Sequence, residues 1–149
     1  MKGKGLLPTH YLLISILAMV ALRFLFPVMK IILSPWHLFG IVPLVLGVAI
    51  NIIADKAFHE ANTAVKPFEE STVLITNGVF RVSRNPMYLG FVLILIGIAI
   101  LVRALTPYVI IPIFAVLMDK IFIEVEERML AEQFGVEWLQ YEEKTRRWI

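Results

Sequence analysis

Four long apolar runs divide the chain, each bounded by charged residues or proline. The first extends from Tyr11 to Phe26, after Lys2 and Lys4, with Arg23 near its far end and Pro27 and Lys30 at its exit. The second opens at Ser34-Pro35-Trp36 and continues to Ala54, with Pro43 inside it. Met87 to Val102 is the third, closed by Arg103. The fourth follows Thr106-Pro107, passes Pro112 and loses its apolar character at Asp119-Lys120. A helix needs about 20 apolar residues to cross the hydrocarbon core of a bilayer. The pattern therefore predicts an all-α polytopic membrane protein with spans over residues 11–30, 36–55, 87–103 and 107–123. Ser34, Asn85 and Thr106 each precede a proline, the sequence of a cap followed by a first helical residue that needs no N–H. Pro43 predicts a kink in the second span, and Trp36 an anchor at the interface. Arg23 reads as a side chain snorkelling to the opposite headgroups, or as a contact to a lipid phosphate.

The polar stretches are as informative as the spans. Asn51, Asp55, His59 and Asn62 follow one another at helical spacing and share a face at the end of the second span. Such a stripe serves helix–helix hydrogen bonding or forms one wall of a site. Residues 63–84 are polar and contain Asn77-Gly78, a tight-turn dipeptide, with Val73-Leu74-Ile75 before it and Val79-Phe80 after it as short extended pieces. Gly90 and Gly97 lie seven apart on nearly one face of the third span, which permits close helix packing. Beyond the fourth span, Ile121 to Gln133 continues as helix, with Glu124 and Arg128 at pairing distance. Phe134-Gly135 marks a helix end or bend. From Val136 the chain reads as an amphipathic helix at the membrane surface, followed by Arg146-Arg147-Trp148-Ile149.

Composition supports this reading. Hydrophobic residues make up 59% and charged residues 17% of the 149, which points to an integral membrane protein of one domain, residues 1–149. A net charge of +2 is too modest to suggest nucleic-acid binding, and the absence of cysteine excludes disulfides and thiolate chemistry. The three histidines are scattered and have no metal-ligand spacing. With four spans, the N-terminal flank, the 56–86 loop and the C-terminal segment share one side, which carries eleven of the fourteen Lys and Arg residues. By the positive-inside rule both termini are expected in the cytoplasm, in a membrane of the prokaryotic inner type. The first run lacks a small-x-small cleavage site and is expected to stay as a span.

This topology brings Arg81, Arg84, Asn85 and Tyr88 to the same face as Glu126 and Glu127. The N-terminus of the third span points its positive end at that loop, a setting that suits an anion. Glycine-rich phosphate loops, dinucleotide fingerprints and zinc-protease helices are absent from the sequence.

The stretch from Asn77 to Gly90, Asn-Gly-Val-Phe-Arg-Val-Ser-Arg-Asn-Pro-Met-Tyr-Leu-Gly, resembles the Gly-x-Tyr-x-x-x-Arg-His-Pro-x-Tyr-x-Gly block of the isoprenylcysteine carboxyl methyltransferase family. Glu126-Glu127, Leu130, Phe134-Gly135 and Tyr141 resemble that family's second block, which phospholipid N-methyltransferases share in part. The resemblance covers residues 63–149, and the first 62 residues match it only as generic spans.

The resemblance implies S-adenosylmethionine as methyl donor, held by residues 63–90 and 119–149. Its contacts would fall on Thr72, Val73, Leu74, Ile75, Phe80, Asn85, Pro86, Met87, Tyr88 and Glu126. The acceptor would be lipid-like or partitioned into the bilayer. Arg84 would position a carboxylate acceptor, or Glu127 would take the proton of an amine. Two positions depart from the family pattern. Asn85 stands where the family has histidine, and Asn does not titrate. Phe122 stands four residues before Glu126, where the prenylcysteine enzymes carry arginine, so prenylcysteine carboxylate recognition is not supported. A non-catalytic assembly partner and an NADPH-dependent reductase of the sterol-reductase type remain as alternatives.

Overall fold

A computed structural model describes residues 6–26, 32–63, 67–69 and 71–149 of the chain. All its regular elements are helical among these residues. They are α1 (Pro8–Leu25), α2 (Ile41–Glu60), α3 (Pro86–Val102), α4 (Ile110–Met118), α5 (Glu124–Phe134) and α6 (Val136–Lys144). Short 3-10 turns lead into α2 (Trp36–Gly40) and α4 (Thr106–Val109), and one more lies in the long loop (Gly78–Arg81).

Two of the expected spans, Pro8–Leu25 and Trp36–Glu60, have the length and hydropathy to cross a membrane. The apolar α3 is shorter, at 17 residues. The fourth expected span is not one regular helix: its 3-10 turn and α4 pass into a π-helical turn, Asp119–Ile123, before α5. The second reaches Glu60 rather than residue 55. The expected exit of the first span at Pro27 and Lys30 lies outside the described residues.

α3 is the central helix, packed against α1, α2 and α4. Its glycines explain the close approach of α2. A Cβ built on Gly47 would sit 2.4 Å from the Gly90 carbonyl oxygen, and one on Gly97 2.6 Å from that of Gly40. On its other side, Tyr88, Phe91, Leu95 and Ala99 of α3 bury against Met19 of α1, Phe114 and Met118 of α4 and Phe122 of the π turn. The outward faces of α1 and α2 keep Leu13, Leu17, Phe24, Val45 and Ile52 exposed. A bilayer accommodates such faces.

Several local expectations are corrected. Pro43 lies in the first turn of α2, just after the 3-10 turn Trp36–Gly40, and the helix runs on through it to Glu60. Val79 and Phe80 are in the 3-10 turn and not in an extended piece; Gly78 opens that turn at φ +58°. Arg103 ends α3 in the left-handed conformation and donates from Nε to the Ile32 carbonyl at 3.0 Å. Thr106 Oγ1 donates to the Phe26 carbonyl at 3.1 Å, tying α4's approach to the end of α1.

Candidate active site

A cavity of about 250 Å³ opens at the end of the bundle where α1 begins, α2 ends and α3 begins. One wall is apolar: Leu7 and Pro8 at the start of α1, Phe58 of α2, Phe68, and Phe91 of α3. Polar groups line the other: Arg84, Asn85, Tyr88, Glu126 and Gln133, joined by Trp138 and Tyr141 of α6. Gly135, at φ +49°, turns the chain between α5 and α6, so that α6 folds back over the cavity.

The loop is built onto this frame by specific contacts. Thr72 N–H donates to Thr63 Oγ1 at 2.8 Å, and its own hydroxyl donates to the Asn62 carbonyl. Phe80 is buried against Phe58, edge to face, with ring centroids 5.4 Å apart. Tyr141 donates its hydroxyl to the Phe80 carbonyl at 2.6 Å, and burial pushes that phenol up to about 12. Pro86 is the first residue of α3, as its fixed φ predicts.

Glu126 and Glu127 are neighbours in sequence with different surroundings. Glu126 Oε1 accepts the Tyr88 hydroxyl at 2.9 Å on the cavity wall. Burial raises its carboxyl to about 7; the Tyr88 hydrogen bond opposes that shift and Glu127 adds to it. Tyr88 is itself packed between Phe91 and Phe122. Phe122 also stacks on Phe68, so the position compared with an arginine in the prenylcysteine enzymes is filled by an aromatic contact.

Glu127 is held by cations. Its Oε1 accepts Arg84 Nε at 3.1 Å and Asn85 Nδ2 at 3.1 Å. Its Oε2 accepts Arg147 Nε at 3.1 Å and Nη2 at 2.7 Å. The Arg84 and Glu127 side chains are each only 8% exposed. Arg84 also donates to the Glu142 and Thr145 carbonyls and pairs with the Glu142 carboxylate. Its guanidinium carbon lies 5.6 Å from the centre of the Trp138 ring, within cation–π range. Arg147 extends the cluster to Asp119 of the π turn at 3.2 Å.

The structure therefore brings Val73, Leu74, Ile75, Phe80, Arg84, Asn85, Pro86, Met87, Tyr88 and Glu126 to one cavity. Thr72 and Glu127 are not among its lining residues. The polar stripe of α2 is not part of the wall either. Asn51 donates to the Gly47 carbonyl within its own helix, and Asp55 pairs with His59 at an exposed position. Asn85 does not cap α3 with its side chain. Its backbone, at φ −125° and ψ 58°, departs from the extended cap geometry, and its amide is drawn to Glu127 instead.

The sequence reading did not identify Arg147, Asp119 or Glu142 as members of the cluster, or Trp138 as the ring beneath Arg84. A signal for the tail was present, because Trp148 beside Arg147 implies a segment that packs. Trp148 is partly buried against the main core.

Comparisons with known proteins agree with this architecture. The phospholipid methyltransferase family profile matches residues 35–137. Protein-S-isoprenylcysteine O-methyltransferase of Saccharomyces cerevisiae is 34% identical over 154 residues, covering 97% of this chain and 62% of the yeast protein. Protein-S-isoprenylcysteine O-methyltransferase A of Arabidopsis thaliana is 31% identical, covering 94% of this chain and 73% of the plant protein. The solved eukaryotic intramembrane Ras methyltransferase, isoprenylcysteine carboxyl methyltransferase, shares the fold with a TM-score of 0.71 at 24% identity, over 95% of this chain and 51% of its own. The fold is thus the one found in a solved membrane methyltransferase. The chain belongs to the phospholipid methyltransferase family. It spans less than two thirds of the yeast relative and about half of the solved one.

Proposed function

We propose that the chain transfers a methyl group from S-adenosylmethionine to a lipid-like or membrane-partitioned acceptor. One observation carries this reading: Asn85, at the start of α3, and Glu126, in the first turn of α5, open onto a single cavity with an apolar wall. The lining suits the donor's chemistry. The N-terminus of α3 suits its carboxylate. Glu126 and the Asn85 amide suit its ammonium or ribose hydroxyls. Phe80, Met87 and Leu74 offer the adenine an apolar bed.

The bound donor supplies an activated methyl group, so the chain's residues need only align the acceptor and exclude water. α6 covers the cavity from above, and Phe68 with Leu7 and Pro8 gives it an apolar side through which an acceptor can enter from the bilayer. In this reading Arg84, on the cavity wall but engaged by Glu127, Glu142 and Thr145, and Glu127, off the wall, act mainly as holders of the site. Glu127 has two cations and an amide on its oxygens, which leaves no lone pair to take a proton. The carboxylate that faces the cavity is Glu126.

In this reading the ends of the helices support four crossings. α1 starts, α2 finishes, α3 starts and α5 begins at the cavity, while the end of α1, Ile32, Arg103 and Thr106 meet at the opposite end. The excess of Lys and Arg on the cavity side supports a cytoplasmic placement for that end and for both termini.

The test is transfer of labelled methyl from S-adenosylmethionine into a total lipid extract by the purified chain. Label in one lipid species, lost on Glu126→Gln, supports the reading. No transfer, together with NADPH binding, replaces it by the reductase reading.

A further inference from the structure

We infer that Arg147 is a positioning residue that fixes the Asn85 side-chain amide through Glu127 and through its own main-chain carbonyl. Asn85 Nδ2 donates to Glu127 Oε1 at 3.1 Å and to the Arg147 carbonyl at 3.3 Å. An amide nitrogen has two hydrogens, and both are then engaged. The opposite amide orientation would set Oδ1 against two acceptors and lose both bonds. The Asn85 oxygen is therefore the polar atom left for the cavity that this residue lines.

Arg147 maintains this arrangement from outside the cavity. Its guanidinium grips Glu127 Oε2 with two N–H groups and Asp119 Oδ1 with a third. Its carbonyl also accepts Ser83 Oγ at 3.1 Å, and the Arg146 carbonyl accepts the Arg84 amide at 3.0 Å. Trp148 anchors the segment against the main core. The last residues thus clasp the loop and α5 together. A fixed amide oxygen selects a hydrogen-bond donor on the ligand, either an ammonium or a sugar hydroxyl. This assignment rests on the methyl-donor reading, whose molecule carries both.

The experiment is a double-mutant cycle on the full chain in lipid nanodiscs, read by S-adenosylhomocysteine binding. Asn85→Ala and Arg147→Met are each expected to weaken binding about tenfold, the scale of one lost hydrogen bond to a charged group. Because both act through one amide, the double variant is expected within about twofold of either single one. Arg147→Lys, which keeps the charge on Glu127, is expected to recover part of the loss. Additive losses, about a hundredfold in the double variant, would overturn the assignment. If Arg147→Met does not fold, the cycle runs with Arg147→Lys. The second readout is the Asn85 side-chain amide resonance of the unliganded chain, assigned by its absence in Asn85→Ala. It is expected to shift in the Arg147 variant while that of Asn51 stays, and an unmoved Asn85 signal would overturn the assignment. Absence of binding by the wild-type chain overturns the methyl-donor reading, and the amide resonance then decides the clasp alone.

Discussion

At the end of the bundle where α1 closes, the partners of Arg103 and Thr106 among the described residues are main-chain carbonyls, those of Ile32, Leu22 and Phe26. At the cavity end, Arg84, Asp119, Glu127, Glu142 and Arg147 form a partly buried ionic cluster that joins the loop before α3, the π turn, α5 and the tail. Carbonyl contacts of the first kind accept many donors, so they need little from the sequence beyond a turn. The second kind needs particular charges at particular places. Each buried ion there must keep its partners, because an uncompensated charge away from water is expensive. The cavity end is where the sequence is chemically constrained, and the proposed methyl-donor pocket lies against that constraint.

The sharpest way to break this contrast is to separate the adjacent glutamates. Glu127→Ala removes the shared partner of two arginines and is expected to destabilise the protein by about 3–5 kcal/mol, read as a lowered thermal midpoint in detergent. Glu126→Gln is expected to leave the midpoint near the wild-type value while weakening S-adenosylhomocysteine binding. If both variants behaved alike, the division between holder and cavity carboxylate would be wrong.

A second test addresses the helix pair beneath the cavity. Gly47→Ala places a methyl group 2.4 Å from the Gly90 carbonyl oxygen, so α2 and α3 must move apart. Overpacking of this kind costs about 1–3 kcal/mol, measurable by the same unfolding assay. An unchanged midpoint would show that the two helices are not held at this distance.

The pH dependence sharpens the assignment of Glu126. Burial raises its carboxyl to about 7, so it is largely neutral at pH 6, and it must ionise to hold an ammonium. Affinity for S-adenosylhomocysteine is therefore gained as pH rises, by about fivefold between pH 6 and 7 for one proton released. In Glu126→Gln that slope should vanish. At the opposite end, Arg103→Ala is expected to cost only about 1 kcal/mol, one hydrogen bond to a carbonyl, and to leave binding unchanged.

The sequence disclosed the helices and the lining of the cavity unequally well. Apolar length and the Asn85-Pro86 start placed α3 within one residue at each end. The glycine spacing on α3 pointed to the helix pair that Gly90 and Gly97 form with Gly47 and Gly40. Periodicity could not reveal the π turn, because one extra residue per turn at Asp119–Ile123 leaves no mark on composition. It also misdirected the reading of α2. Asn51 turns its amide toward Gly90 of α3, Asp55 and His59 pair at exposed positions, and Phe58 from the adjacent face reaches the cavity. The sequence offered Arg84 and Glu127 as candidates for positioning an acceptor or taking its proton, and it could not show that each is already paired in the ionic cluster. Their partner Arg147 lies 20 residues beyond Glu127, a distance that no local pattern bridges.

The central claim is that the segments around Asn85 and Glu126 close over one methyl donor. Calorimetry of S-adenosylhomocysteine against the purified wild-type chain, Asn85→Ala and Glu126→Gln tests it most directly. One site per chain, weakened about tenfold or more by either substitution, is the predicted result. Wild-type affinity in either variant, or no binding by the wild-type chain, would contradict it.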